Sequence, residues 1–386
     1  MMLYRKLGRS GARLSALGFG CMRFLTKKGR PTWGANFDSE AALRLLHETR
    51  ELGVNYFDTA YNYMGNRSEN LLGRFLREIP GGSVLVATKY PVWKARHRND
   101  FLRLFNVQMK RLGTDGVDLY LLHSLNGKLF EKARTMGILD FLDRLRSEGR
   151  VGLAGFSFHD AQESFGPIAD AYDWDFCQIQ YNIIDETVQA AGKSLEHAAR
   201  KGLGVVVMEP LRGGALVGSQ APAVARAWEK SGGRRSKADW CLSWIWNRPE
   251  VSIVLSGMNT PGQLRENARI ASRARPGSMT REELSVVAGV RKAYENLRVS
   301  GCTGCGYCMP CPFGVAIPSC FVAFDEARML PGSDMPVTTY RQWLRPEQKA
   351  DRCTGCGRCE ERCPQNVGIR EKLREVVRLF GGPSDR

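Results

Sequence analysis

The sequence predicts an α/β chain in two parts: a (β/α)8, or TIM, barrel over residues 1–296 and a small, mainly α-helical, cysteine-rich domain over residues 297–386. Three observations predict it. Eight short apolar or β-branched runs recur roughly every 30 residues, as βα units do. The segments between them carry helical period. Nine of the twelve cysteines fall in the last 85 residues.

The candidate strands are Leu14–Gly20, Val54–Thr59, Ser83–Lys89, Val117–His123, Val151–Ser157, Phe176–Asn182, Gly204–Glu209 and Ser252–Gly257. Near-continuous apolar character is what parallel strands buried on both faces require. Between them, Ser39–Leu52 and Leu129–Glu148 space apolar residues along one helix face. The runs are too short and too even for a doubly wound sheet. Gly18-Phe19-Gly20 also lacks the third glycine of a dinucleotide-binding turn. Met2–Lys6 and Ala12–Leu14, joined through Gly8-Arg9-Ser10-Gly11, read as a hairpin closing the barrel floor. Arg281–Arg298 reads as a helix outside the barrel that leads into the cysteine-rich part, where Ser319–Leu330 and Thr339–Ala350 read as helical.

Eight of the nine C-terminal cysteines form two compact runs. The first is Cys302-x2-Cys305-x2-Cys308-x2-Cys311-Pro312, and the second is Cys353-x2-Cys356-x2-Cys359-x3-Cys363-Pro364. The second matches the bacterial ferredoxin spacing, in which one loop wraps three corners of a cubane and the fourth cysteine serves the other cluster. Eight thiolates meet the demand of two [4Fe–4S] clusters. The first run departs from the motif by one residue before Cys311. Cys320 stands nearby as a spare ligand or a buried helix thiol, and the second role is the expected one. A zinc site needs four ligands in a tetrahedron and rarely draws on three consecutive x2 gaps. Cys21, Cys177 and Cys241 are scattered singly and read as small core residues.

Charge and composition narrow the partners. The formal net charge is +16, of which only +3 lies in residues 297–386. There is no basic run of five and no alternation of basic and aromatic residues, so nucleic acid is not the expected partner. Phosphate-bearing small molecules or an acidic electron carrier such as ferredoxin suit the surface better. No stretch of about 18 apolar residues is present, so no membrane span is expected. The opening MMLYRKLGRSGARLSALGFGCM has no apolar leader core. A reducing, cytoplasmic setting is expected, in which clustered cysteines bind metal rather than pair.

Barrel enzymes carry their chemistry at the C-terminal ends of the strands. Strand two ends in Asp58-Thr59-Ala60-Tyr61-Asn62-Tyr63, strand three in Lys89 and strand four in His123. A lysine cation near a tyrosine favours the phenolate, and a tyrosine so tuned can pass a proton to a carbonyl oxygen. His123 can orient that carbonyl by donating a hydrogen bond. Any one of these residues alone could be structural. It is the set of four that carries the expectation.

These residues give the chain its resemblance to a known family. Gly53-Val54-Asn55-Tyr56-Phe57-Asp58-Thr59-Ala60-x-x-Tyr63, Ser68-Glu69-x-x-Leu72-Gly73, Lys89 and Asp118-Leu119-Tyr120-Leu121-Leu122-His123 resemble the aldo/keto reductases over about residues 1–275. Cys305 through Pro318 is similar to the branch of that family with a C-terminal iron–sulfur domain, and the helical stretches there resemble all-helical ferredoxin-like domains. The resemblance implies roles. Tyr63 would be the general acid, Lys89 and Asp58 its tuning pair, and His123 the substrate orienter. Ser157 and Gln178 would hold the nicotinamide carboxamide. Gly20, Cys21 and Met22, with Ser256, Gly257 and Met258, would line the cofactor, and Glu266 and Asn267 would lie near the adenine.

Four positions depart from that pattern. Phe158 replaces the asparagine that commonly follows the strand-five serine. Met208 stands where an aromatic stacks on nicotinamide. Gly257 and Gln263 stand where lysine and arginine grip the 2′-phosphate of NADP. The cofactor is therefore open between NADP and NAD. The expected activity is reduction of a small-molecule carbonyl, or oxidation of an alcohol, with the clusters serving relay, sensing or structure. The alternatives are a ferredoxin-linked electron-transfer protein whose barrel works without nicotinamide, and one whose barrel is silent. Hydride carries two electrons and a cluster one, so joining them normally needs a mediator such as flavin, for which no motif is visible.

Overall fold

Eight parallel strands close on themselves in the order in which they occur along the chain. They are β1 (Leu17–Gly20), β2 (Tyr56–Asp58), β3 (Leu85–Tyr90), β4 (Val117–Leu125), β5 (Val151–Phe158), β6 (Phe176–Gln180), β7 (Gly204–Met208) and β8 (Val251–Ser256). β8 pairs back onto β1 through Val254 opposite Leu17, which completes the predicted barrel. The structure, a computed structural model, describes residues 1–186, 191–218, 220–233 and 235–381. Every residue of β7 and β8 is buried, as strands faced by side chains within and helices without must be.

The helices between strands follow from capping and amphipathic spacing. Ser39–Glu51 starts at Asp38, whose carboxylate accepts from the Ala41 N–H at 3.0 Å, and buries Leu43, Leu45 and Leu46. Such a cap is worth about 1 kcal/mol. The stretch expected as one helix over Leu129–Glu148 is two, Gly127–Met136 and Ile138–Ser147. Gly137 ends the first in the left-handed conformation (φ +81°), which closes a helix and redirects the chain.

The floor is sealed as the sequence suggested. Tyr4–Lys6 pairs antiparallel with Arg13–Ser15, and Leu7 and Leu14 enter a core with Tyr56, Leu119, Phe176 and Ile253. Full burial of each leucine contributes roughly 1.5–3 kcal/mol. Gly8 is required there: a Cβ on it would lie 2.3 Å from the Gly204 nitrogen.

The chain divides into two compact units, Met1–Gly213 with Ala238–Leu284, and Gly214–Lys237 with Ser285–Arg386. The cysteine pattern had suggested a break at 296/297. The helix Arg281–Glu295 instead contributes most of its length to the second unit, where Tyr294 donates to Gln220 Oε1 at 3.0 Å. The core of this unit joins the helices Ile317–Met329 and Ile369–Phe380 through Phe321, Phe324, Leu373 and Val376. Tyr340 stacks on Phe380 at 4.7 Å. The Thr339–Ala350 segment is not one helix. A wide turn, Thr339–Trp343, is followed by tight turns at Pro346–Gln348 and Ala350–Arg352. Pro346 holds Arg345 in an extended conformation, which stops helix growth. Among the described residues no helix is long and apolar enough to cross a membrane.

Candidate active site and cysteine cages

Asp58 closes β2, Lys89 lies in β3 and His123 in β4, so neighbouring strands bring them to one end of the barrel. Lys89 Nζ donates to Asp58 and, at 2.8 Å, to the Thr59 carbonyl; both charged side chains are 1 % exposed. Tyr56 donates to the other Asp58 oxygen at 3.3 Å. Tyr63 follows β2 on a turn in which Met64, Gly65 and Asn66 all take positive φ. Its ring centroid lies 4.9 Å from Lys89 Nζ and meets the His123 ring edge-on at 5.8 Å. All four expected residues are therefore together.

The electrostatics differ from expectation at Tyr63. Its pKa is raised well above that of a free phenol, first by burial and then by the Asp58 and Glu209 carboxylates. Burial outweighs the lowering expected from the Lys89 ammonium, which is itself paired with Asp58. Burial pushes the Asp58 carboxyl up and the Lys89 ammonium down, and their pairing opposes both shifts. Burial and the Lys89 charge hold His123 well below the ordinary histidine value, so its ring is neutral near pH 7. His123 Nδ1 is buried without a hydrogen-bond partner.

Two supports had no role assigned from the sequence. The Trp93 ring lies 5.1 Å from that of His123, and a tryptophan four residues beyond the strand-three lysine was the available signal. Behind Lys89, buried Glu69 accepts from Thr88 and Gln108 at 2.7 Å and from Arg111 at 2.9 Å. Gln108 also donates to the Lys89 carbonyl at 3.0 Å, which fixes the strand that carries the lysine.

The expected cofactor residues fall into two sets. In the first, Ser157 and Gln178 lie opposite each other across β5 and β6, and Met208 ends β7. Ser157 Oγ accepts from the Ser124 N–H at 2.7 Å, whereas Gln178 Oε1 is buried with no partner. Phe158 packs edge-on against Phe165. The second set gathers where β8 meets β1. A Cβ on Gly257 would lie 3.6 Å from the Gly20 carbonyl, and Ser256 Oγ accepts from Asn267 at 3.2 Å. Cys21 and Met258 are buried, and Met22 and Glu266 are partly exposed. Gln263 accepts from the Asn259 N–H at 2.8 Å, in the loop before the helix Pro261–Ala271, and Asn259 Oδ1 is buried without a partner.

In the second unit the cysteine runs exchange their fourth members. Cys302, Cys305 and Cys308 share a narrow cavity with Cys363. Cys353, Cys356 and Cys359 share a wider one with Cys311, and Cys308 stands in the wall of both. The two loops have matching backbones: Gly304 and Gly306 take φ of +78° and +76°, Gly355 and Gly357 +75° and +79°. A side chain at these positions would be strained. Asp325 braces the first loop by accepting from the Val299 and Ser300 N–H groups at 2.9 Å and from Ser300 Oγ at 2.6 Å. Burial raises the Cys302 and Cys308 thiols and pushes Cys359 up to about 11. Cys320 lies in the helical core and donates weakly to the Gln348 carbonyl at 3.6 Å. Among the described residues no three His, Cys, Asp or Glu side chains are drawn together as a single-ion site would hold them.

The aldo/keto reductase family model matches residues 16–276. The chain belongs to the aldo/keto reductase family. A 4Fe-4S dicluster domain matches residues 301–368, which include all eight clustered cysteines. The barrel is similar to the NADH-specific methylglyoxal reductase of Escherichia coli (25 % identical, covering 68 % of this chain and 91 % of that protein). It is also similar to the L-galactose dehydrogenase of Arabidopsis thaliana (27 %, covering 76 % and 95 %). The aldo-keto reductase AKR11C1 of Bacillus halodurans shares the fold, with a TM-score of 0.63 at 24 % identity over 76 % of this chain and 97 % of that one. This aldo/keto reductase is thus an oxidoreductase whose barrel is followed by an iron–sulfur domain.

Proposed function

We propose that the protein reduces a small carbonyl compound, or oxidises the matching alcohol, at the barrel mouth with NADH, and that each cysteine cage holds one [4Fe–4S] cluster. The observation that carries the first part is the placement of the Tyr63 ring against both Lys89 and His123. The residues present suit a nicotinamide cofactor: Gln178 Oε1 is a buried acceptor lacking a donor, which a carboxamide N–H would supply. Ser157, Met208, Gly20 and the Ser256–Met258 strand end would form the rest of its seat. Gly257 and Gln263 provide no cation for a 2′-phosphate, and one similar protein is described as NADH-specific, so NADH is favoured over NADPH.

When bound, the nicotinamide supplies or accepts the hydride. The chain handles the proton. A phenol whose pKa is raised stays protonated across the neutral range, so Tyr63 has a proton to give to the carbonyl oxygen. Lys89, 4.9 Å from the ring and paired with Asp58, is the cation nearest the phenolate that this transfer would leave, and it offsets part of the burial cost of that charge. Neutral His123 orients the carbonyl by hydrogen bonding. Trp93 packs against His123, 5.1 Å between ring centroids, and helps to hold its orientation. Cys302, Cys305, Cys308 and Cys363 would hold one cluster and Cys311, Cys353, Cys356 and Cys359 the other, and each would supply one-electron chemistry.

Anaerobic fluorescence titration with NADH and NADPH tests this reading. NADH should bind more tightly, and binding of neither nucleotide would overturn it. Metal analysis of protein made without oxygen should find about eight irons and eight sulfides per chain. Stoichiometric zinc instead would contradict the clusters.

A further inference from the structure

The two cages differ in what surrounds them. The cavity of Cys302, Cys305, Cys308 and Cys363 is walled by Ile317, Phe321, Val367 and Ile369, and among the described residues no charged one lines it. The cavity of Cys311, Cys353, Cys356 and Cys359 is rimmed by Arg358, Arg362 and Arg370, and among the described residues no acidic one lines it. Arg370 is anchored. Its backbone N–H and its guanidinium both donate to Glu360 at 2.8 Å, and its guanidinium carbon lies 3.8 Å from where a Cβ on Gly357 would sit. That pairing neutralises Glu360. Arg358 and Arg362 remain exposed, beside an exposed Cys356, with the paired Glu360 and the exposed Glu361 between them in sequence.

We propose that the arginine rim over the Cys311–Cys353–Cys356–Cys359 cage is the electron port of the molecule, a docking surface for an acidic one-electron carrier protein. The proposal rests on the reading that each cage holds a [4Fe–4S] cluster. Each cage has one exposed ligand, Cys356 here and Cys305 in the other, so exposure brings both cluster edges near the surface and the charge of the rim tells them apart. A positive rim draws an acidic partner onto the edge beside it and speeds encounter. Reduction adds one negative charge to the cluster, which the guanidinium groups stabilise, since nearby charge and exposure set cluster potentials. The step is a single electron: the carrier is oxidised by one, the cluster is reduced by one, and no bond or proton moves. The other cage has an apolar wall and offers no such attraction.

The test uses anaerobic, cluster-loaded full-length protein and a purified acidic plant-type [2Fe–2S] ferredoxin, reduced beforehand, with stopped-flow absorbance following cluster reduction. R358E/R362E should lower the second-order rate constant at least tenfold at low salt and flatten its salt dependence. K292E/R298E changes net charge equally, on the Arg281–Glu295 helix and just beyond it, and should leave the rate within twofold. Equal falls in both variants, or none in R358E/R362E, would overturn the port, as would loaded wild-type protein that dithionite reduces and the ferredoxin does not. If R358E/R362E does not load iron, R358Q/R362Q serves, with a three- to tenfold fall expected and an unchanged rate counting against the port. Wild-type protein without iron or acid-labile sulfide would instead refute the cluster reading, so the two failures are distinguishable.

Discussion

At the barrel mouth the four polar residues come from β2, β3, β4 and the turn after β2, whereas each cysteine cage takes three of its four thiols from one seven-residue loop. The mouth is assembled by topology. Asp58, Lys89 and His123 are distant in sequence and meet because parallel neighbours end together. The cages are assembled by local backbone, with two left-handed glycines bending each loop, and topology supplies only the crossing cysteine. The charges differ as well: at the mouth Asp58 and Lys89 are paired and 1 % exposed, while the arginines over the wider cage stand in solvent. Two regions built so differently should fail independently.

The sharpest way to break that independence is Tyr63→Phe. Carbonyl reduction should fall by about 10²–10⁴ with iron content and cluster absorbance unchanged. Activity that survives would remove Tyr63 from the proton transfer, and lost iron would show the two regions to be coupled. Next is Lys89→Met, which leaves Asp58 buried without its partner. Urea unfolding should show a loss of about 3–5 kcal/mol. Adding Asp58→Asn should recover much of that stability but no activity, which separates the fold from the chemistry.

The cages allow a reciprocal test. Cys363→Ser should remove the cluster of the narrow cavity and Cys311→Ser that of the wide one, each leaving about four irons of about eight. If Cys363→Ser instead perturbed the cluster held by Cys353, Cys356 and Cys359, the exchange of fourth ligands would be wrong.

The smallest effect expected is a pH dependence of stability from His123. Its folded pKa lies well below 6.5, so the unfolded chain binds the proton more readily. Stability is then full above pH 6.5 and declines as pH falls from there towards the folded value. Each unit of separation is worth about 1.4 kcal/mol. Equilibrium unfolding at several pH values should show that slope, and His123→Gln should reduce it.

Much of this was legible in the residues. The eight strands stand out because a strand buried on both faces must be apolar throughout, so Gly204–Met208 and Val251–Ser256 announce themselves. The cysteine loops are legible for a similar reason: their ligand spacing is short enough to be written within one turn of chain. Less legible were features that depend on competing local terms. Gly137 divides a segment whose apolar spacing continues across it, and Pro346 stops a helix that composition alone would extend. The second unit also takes up residues 214–237 and most of the helix Arg281–Glu295, which no motif marks.

The sequence by itself determined the barrel, the two cysteine runs and the identity of the polar residues at the strand ends, because periodicity and spacing are local properties of a chain. Only the tertiary structure decided what those residues experience. Burial and the Asp58 carboxylate leave Tyr63 a high-pKa phenol rather than the activated one expected. Gln178 keeps a buried oxygen without a donor, and the arginines gather over one cage and not the other. Such outcomes depend on burial and on the distances between groups far apart in sequence, and these exist only once the chain has closed.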